Sequence, residues 1–121
     1  SNEDAGNCLL STLGSHAVQI NGPLTSMATD SDVRVLFNAD DVALALEPVS
    51  GVSIRNQFPA VMKRHIVRDG TVYCELEVTP TARILVEISV GAFNELQLNE
   101  LSGRPVYCLL KVGALRIEAA Q

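Results

Sequence analysis

An all-β chain, closing as a small antiparallel β-barrel of the OB type with one short helix, is predicted by three observations. Hydrophobicity alternates with a period of two over most of the chain, the alternating segments are short, and Gly, Pro, Asn or Asp separates them. Only one stretch carries helical spacing. The 121 residues suffice for one domain with its own core, since chains near this size bury roughly two-thirds of the surface they expose when unfolded. Aromatic residues are 4% of the chain and Trp is absent, so that core has to be built from Val, Leu, Ile and Ala.

Asn7 to Thr12 and His16 to Asn21 read as a hairpin around Leu13-Gly14-Ser15, where Gly supplies the positive φ of a tight turn. Val33 to Asn38 and Val42 to Leu46 read as strands parted by Ala39-Asp40-Asp41. Glu47 to Gly51 is a connector rich in turn formers, and the best internal boundary. Gln57 to Val67 reads as a long strand closed by the turn Arg68-Asp69-Gly70-Thr71. Val72, Cys74, Leu76 and Val78 alternate with Tyr73, Glu75 and Glu77, which places the apolar set on one face of the next strand. Thr79-Pro80-Thr81 turns the chain into Arg83 to Ile88. Gly91 to Leu98 is the helix, with Phe93 and Leu96 three apart and Ser89 where an N-cap belongs. Val106 to Leu110 and Ala114 to Glu118 complete the strands. An internal echo links "VRVLFNADDVALAL" from Val33 to "VYCLLKVGALRIEA" from Val106, so duplication and chance similarity of apolar strands both stay open.

The formal net charge of −5 excludes a general nucleic-acid surface, which has to neutralise several phosphates at once. Cys8, Cys74 and Cys108 are odd in number and lack C-x-x-C spacing, so they read as reduced thiols of a reducing compartment. His16 and His65 stand apart from any ligand partner and read as surface residues. Walker-type and dinucleotide glycine loops and the G-x-S-x-G elbow are all missing, so enzyme activity is not expected. No apolar run reaches the roughly 18 residues of a membrane span. Ser1-Asn2 without Met reads as a tag remnant on a piece of something longer, and residues 1–6 as a disordered start.

The polar cluster "VSIRNQFPA" from Val52 carries the most chemistry. A tetrahedral dianion asks for converging donors: hydroxyls, backbone N–H groups and at least one cation. On a strand Ser53 and Arg55 share one face, so hydroxyl and guanidinium converge on one ligand. Ser89 offers a hydroxyl and the free N–H groups of a first helical turn, and Lys111 a second cation. The plain alternatives are a solvated strand entrance, a simple helix cap and a solvated lysine.

"SIRNQFPA", "ISVGAFNELQL" and "GRPVYCLLKVGAL", in this order, resemble the Mop or TOBE domain found at the C-terminus of the ATP-binding subunit of molybdate ABC importers, in molybdate-responsive regulators and in small molybdate-storage proteins. The resemblance implies an OB-like barrel that dimerises and binds molybdate or tungstate at subunit contacts, with no covalent cofactor. It implies Ser53, Ile54, Arg55, Ser89 and Lys111 as the oxyanion-binding residues, with residues 52–119 as the binding unit and 7–51 as the preceding strands. It further implies a cytoplasmic regulatory domain, held at the inner membrane through the importer's ATPase domain and permease, that signals oxyanion sufficiency and inhibits transport. A degenerate dimerisation module without ligand, and a free-standing molybdate-storage protein, are the alternatives. Two hydroxyls common in the family are replaced, one by Ala92 and one by Val112-Gly113, and Phe37-Asn38-Ala39 lacks the family's arginine and proline.

Overall fold

The computed structural model describes residues 7–12, 16–21 and 33–119, with side chains over 35–116; the expected tag remnant and disordered start at 1–6 and the turn at 13–15 lie outside the described residues. Strands β1 (Asn7–Thr12) and β2 (His16–Asn21) pair as the antiparallel ribbon that their alternation predicted. The remaining strands are β3 (Val33–Leu36), β4 (Ala43–Ala45), β5 (Asn56–Arg68), β6 (Thr71–Thr79), β7 (Ala82–Ser89), β8 (Val106–Leu110) and β9 (Arg116–Ala119). Helix α1 (Val90–Glu95) follows β7 directly.

β5 organises the sheet because it serves two partners in succession. Asn56 to Ala60 pair with β8, whereas Val61 to Arg68 pair with β6, and a register shift between Met62 and Arg64 lies just past the handover. Such a bulge bends a strand and increases its twist, which lets one long strand join two halves of a curled sheet. The resulting order is β4-β8-β5-β6-β7, with β3-β9 as a separate antiparallel ribbon. The 3₁₀ turn Ala39–Asp41, leading into edge strand β4, packs against the opposite edge strand β7. The antiparallel OB-like architecture is therefore as predicted, and by hydrogen bonding it is a curled half-barrel rather than a fully closed one.

Local chemistry explains the joints. Asp69 and Gly70 both have positive φ, 52° and 80°, which is the two-residue hairpin turn whose twist matches the flanking strands. Ser89 caps α1, its Oγ accepting from Ala92 N–H at 3.0 Å. The helix is shorter than the expected Gly91 to Leu98, because the chain turns left-handed at Gln97 (φ 53°) and passes into a 3₁₀ turn at Leu98–Glu100. The two echoing segments follow the same path. β3, the 3₁₀ turn Ala39–Asp41 and β4 match β8, the 3₁₀ turn Val112–Ala114 and β9, and the segments pair with each other through β3-β9 and β4-β8.

The core is aliphatic, as the composition requires. Val72, Cys74 and Leu76 of β6, Val86 of β7, and Val106, Cys108 and Leu110 of β8 are fully buried, with Phe58, Phe93, Leu98 and Leu101 closing around them. Cys74 and Cys108 are free thiols, and burial pushes them up to about 11 and about 12 from an ordinary 9.0. A folded-state value above the ordinary one means the stabilisation is complete below pH 9.0 and is lost as pH rises through the raised values. Near neutral pH a thiol reagent is therefore expected to leave Cys74 and Cys108 unmodified until the chain is denatured, and denaturant midpoints should fall on the alkaline side of pH 9.0. Rapid labelling of either thiol in the folded protein would contradict this.

Candidate functional site

The cluster at the start of β5 is built by strand register. Asn56 pairs with Leu110, so the residue before the first, Arg55, and the residue after the second, Lys111, extend the same antiparallel ladder past its last paired residues. The backbones of Arg55 and Lys111 thus leave the sheet as neighbours, with Ser53 two residues before Arg55. Arg55, Lys111 and Ser53 are all exposed, whereas Asn56 behind them is buried. Lys111 opens the 3₁₀ turn Val112–Ala114, and its carbonyl accepts from Ala114 N–H at 3.0 Å.

One expectation needs correction. Ser53, Ile54 and Arg55 do not lie on a strand: residues 51–53 bend, 54 and 55 are irregular, and β5 begins at Asn56. Their side chains are therefore not sorted by strand alternation, and what holds them is the connector that the chain forms between β4 and β5. Gly51 has a φ of 76°, which allows that connector to turn back. Gln57, on β5, reaches across to it. Its Oε1 accepts from Val49 N–H at 2.7 Å, and its Nε2 donates to the carbonyls of Val49 at 2.9 Å and Ile54 at 3.3 Å. The sequence reading missed Gln57. Its position next to Arg55-Asn56 was the signal present, but nothing local says that a connector folds back over it.

Ser89 stands elsewhere. It pairs with Thr71, which pairs with Arg68 at the far end of β5. The twelve steps of β5 from Asn56 to Arg68 are about 40 Å of chain measured along the strand, so the ladders set Ser89 at the end of β5 opposite to Arg55 and Lys111. First-turn donors of α1 are also partly committed. Ala92 N–H goes to Ser89 Oγ and Val90 N–H to the Gly70 carbonyl at 3.0 Å. What Ser89 offers outward is its hydroxyl proton. Ala92 and Val112, at the positions where the resemblance implies hydroxyls, are half-buried and add no side-chain donor.

Other charged and aromatic residues serve the sheet. Glu75 bridges Arg83 at 2.8 Å and Arg64 at 2.6 Å across β5-β6-β7, and these hydrogen bonds, Arg83's first, hold its carboxyl below the ordinary carboxylate range. Glu77 continues the ladder towards Lys63 and Arg83. His65 is exposed and lies over Phe93, ring centroids 4.6 Å apart. Phe58 and Phe93 are buried and Phe37, Tyr73 and Tyr107 are half-buried, so none of the five aromatics is a fully exposed stacking surface for a single strand. Two surface concavities, one over the Glu75 ladder and one between Leu46-Glu47-Pro48 and the chain from Leu96 to Tyr107, contain none of Ser53, Arg55, Ser89 or Lys111. Among the described residues no group of His, Cys, Asp and Glu is arranged to hold a metal ion, and no helix is long and apolar enough to cross a membrane.

No family model matches the chain. The molybdenum import ATP-binding protein ModC of Paramagnetospirillum magneticum is 32% identical over 87 residues, 72% of this chain, and the chain spans 23% of that relative's length. The molybdate-bound crystal structure of ModG, a cytoplasmic molybdate-binding protein, superposes with a TM-score of 0.69 at 20% identity, over 86% of this chain and 75% of that one. The structural likeness speaks for the fold, and the sequence likeness for the segment it covers.

Proposed function

We propose that this chain, which carries a Mop/TOBE-type domain on an OB-like fold, binds molybdate or tungstate in a site completed by a second copy of itself. The observation that carries the reading is the pairing of Asn56 with Leu110, because it sets Arg55 and Lys111 next to each other with Ser53 close in sequence. Two cations and a hydroxyl at the ends of two paired strands suit a compact dianion, and Ile54 N–H is a further donor of the same segment. Ser89 lies at the opposite end of β5, so it joins the site only from another protomer, which makes the site a property of the dimer. Self-association is also where the exposed Val49 and Val52 of the connector would find cover.

In an importer, a ligand held between two such domains favours the arrangement of the ATPase pair in which both halves of the site meet. Transport then falls as internal oxyanion rises, because a ligand shifts an equilibrium towards the state it binds better. The likeness to ModC supports this importer setting, and the likeness to ModG supports a second reading, a free-standing molybdate-binding protein. On both readings the domain is non-catalytic. The importer reading alone requires that molybdate lower ATP hydrolysis when the domain is joined to its ATPase.

Titration calorimetry of the 121-residue protein with molybdate, tungstate, sulfate and phosphate tests the binding itself. Saturable heat with the first two and weaker heat with the others is expected; no heat with any of the four leaves a dimerisation module that binds no ligand. Mixing tests the sharing of the site. Arg55→Ala and Ser89→Ala proteins each damage both sites of a pair, but a mixed pair contains one site with Arg55 and Ser89 intact. Binding recovered on mixing is the expected result, and failure to recover would place both residues' effects within one protomer.

A further inference from the structure

The side-chain amide of Gln57 treats Val49 as a neighbouring strand would. It accepts from the N–H and donates to the carbonyl of the same residue, at 2.7 and 2.9 Å, and its second donor reaches the Ile54 carbonyl at 3.3 Å. The connector it grips is irregular. Val49 and Val52 are exposed, Gly51 adopts a φ of 76°, and residues 47–55 belong to no strand or helix. Gln57 itself is anchored, since its backbone is paired with Leu109 in the β5-β8 ladder. The amide therefore ties Val49 and Ile54, which bracket Ser53 and the second of which directly precedes Arg55, to a paired strand.

We propose that Gln57 is the positioning residue of the oxyanion site: it holds the connector in the shape that presents Ser53 and Arg55 beside Lys111, without touching the ligand. This rests on the oxyanion reading given above. A binding segment that is competent only part of the time has its apparent dissociation constant raised by the inverse of the competent fraction, so loosening the connector to about one-tenth competence weakens binding about tenfold. The effect belongs to order rather than to contact, so it falls in the entropy of binding.

Gln57→Met keeps the length and the apolar stem of the side chain and removes the amide; Gln57→Ala removes both. The 121-residue protein and these two variants are to be titrated with molybdate by calorimetry, alongside melting curves and amide hydrogen exchange at Val49. Expected are a melting temperature near that of the unmodified protein for Gln57→Met, faster exchange at Val49, and a molybdate Kd raised about tenfold in both variants with the binding enthalpy retained. An unchanged Kd in Gln57→Met, when the unmodified protein binds, overturns the positioning role. A loss carried in enthalpy also overturns it, since Gln57 would then be a direct ligand. If the unmodified protein shows no saturable binding, the oxyanion reading fails and takes this inference with it, so the two failures separate at the first titration.

Discussion

Arg55→Ala is expected to weaken molybdate binding by about 10- to 100-fold while the protein still melts cooperatively. The magnitude follows from the roughly 1.5–3 kcal/mol that a hydrogen bond to a charged partner contributes. Arg55 supplies a planar fork of donors next to Lys111, and a dianion that loses the guanidinium keeps only one nearby cation. Arg55→Lys restores the charge without the fork, so it should recover part of the loss. Added salt should weaken binding to the unmodified protein more than to Arg55→Ala, because the exposed cations act through a screened field. Calorimetry of the three proteins at two ionic strengths checks all of this, and an Arg55→Ala protein that binds like its parent would remove Arg55 from the site.

Leu76→Ala should produce the largest loss of stability, about 2–5 kcal/mol, or roughly 8–20 °C in the melting temperature. Leu76 is fully buried at the centre of β6, paired with Met62 on one side and Ile84 on the other, in the part of the sheet that the bulge in β5 bends. Truncation removes its transfer free energy and leaves a cavity that paired strands cannot close. Leu85 is the matched control. It is one residue along from Ile84 on β7 but faces outward and is 50% exposed, so Leu85→Ala should change stability little. Urea unfolding of the two variants separates them, and equal destabilisation would mean that the assigned inner face of β6 is wrong.

Much of the fold was legible because it is written in neighbouring residues. Alternation of Val72, Cys74 and Leu76 with Tyr73, Glu75 and Glu77 gave β6 and its buried face. Asp69-Gly70 gave the hairpin turn, since both positions need positive φ, and Ser89 gave the helix cap. β8 occupies the expected Val106 to Leu110. Elsewhere local pattern misled. Ser53 and Arg55 read as same-face strand residues, but β5 starts one residue after Arg55, and the bend at Gly51 cancels strand alternation there. The helix ended early at Gln97, where a left-handed backbone in a non-glycine residue left no signal in the apolar spacing.

The candidate site divides the same way. Its proposed chemistry, a serine, an arginine, a lysine and a capping serine, stands in the sequence. Where those groups stand relative to one another was a matter for pairings between distant segments. Asn56 against Leu110 joins Arg55 to Lys111, whereas the long β5 ladder carries Ser89 to the other end of the sheet. The Gln57 clamp likewise exists only because the connector folds back eight residues to meet it. Period and turn chemistry act over two to four residues and so can be read in order along the chain. Register and sheet order arise from burying the apolar faces of β5, β6 and β8 against partners far away in sequence, and only the folded chain settles them.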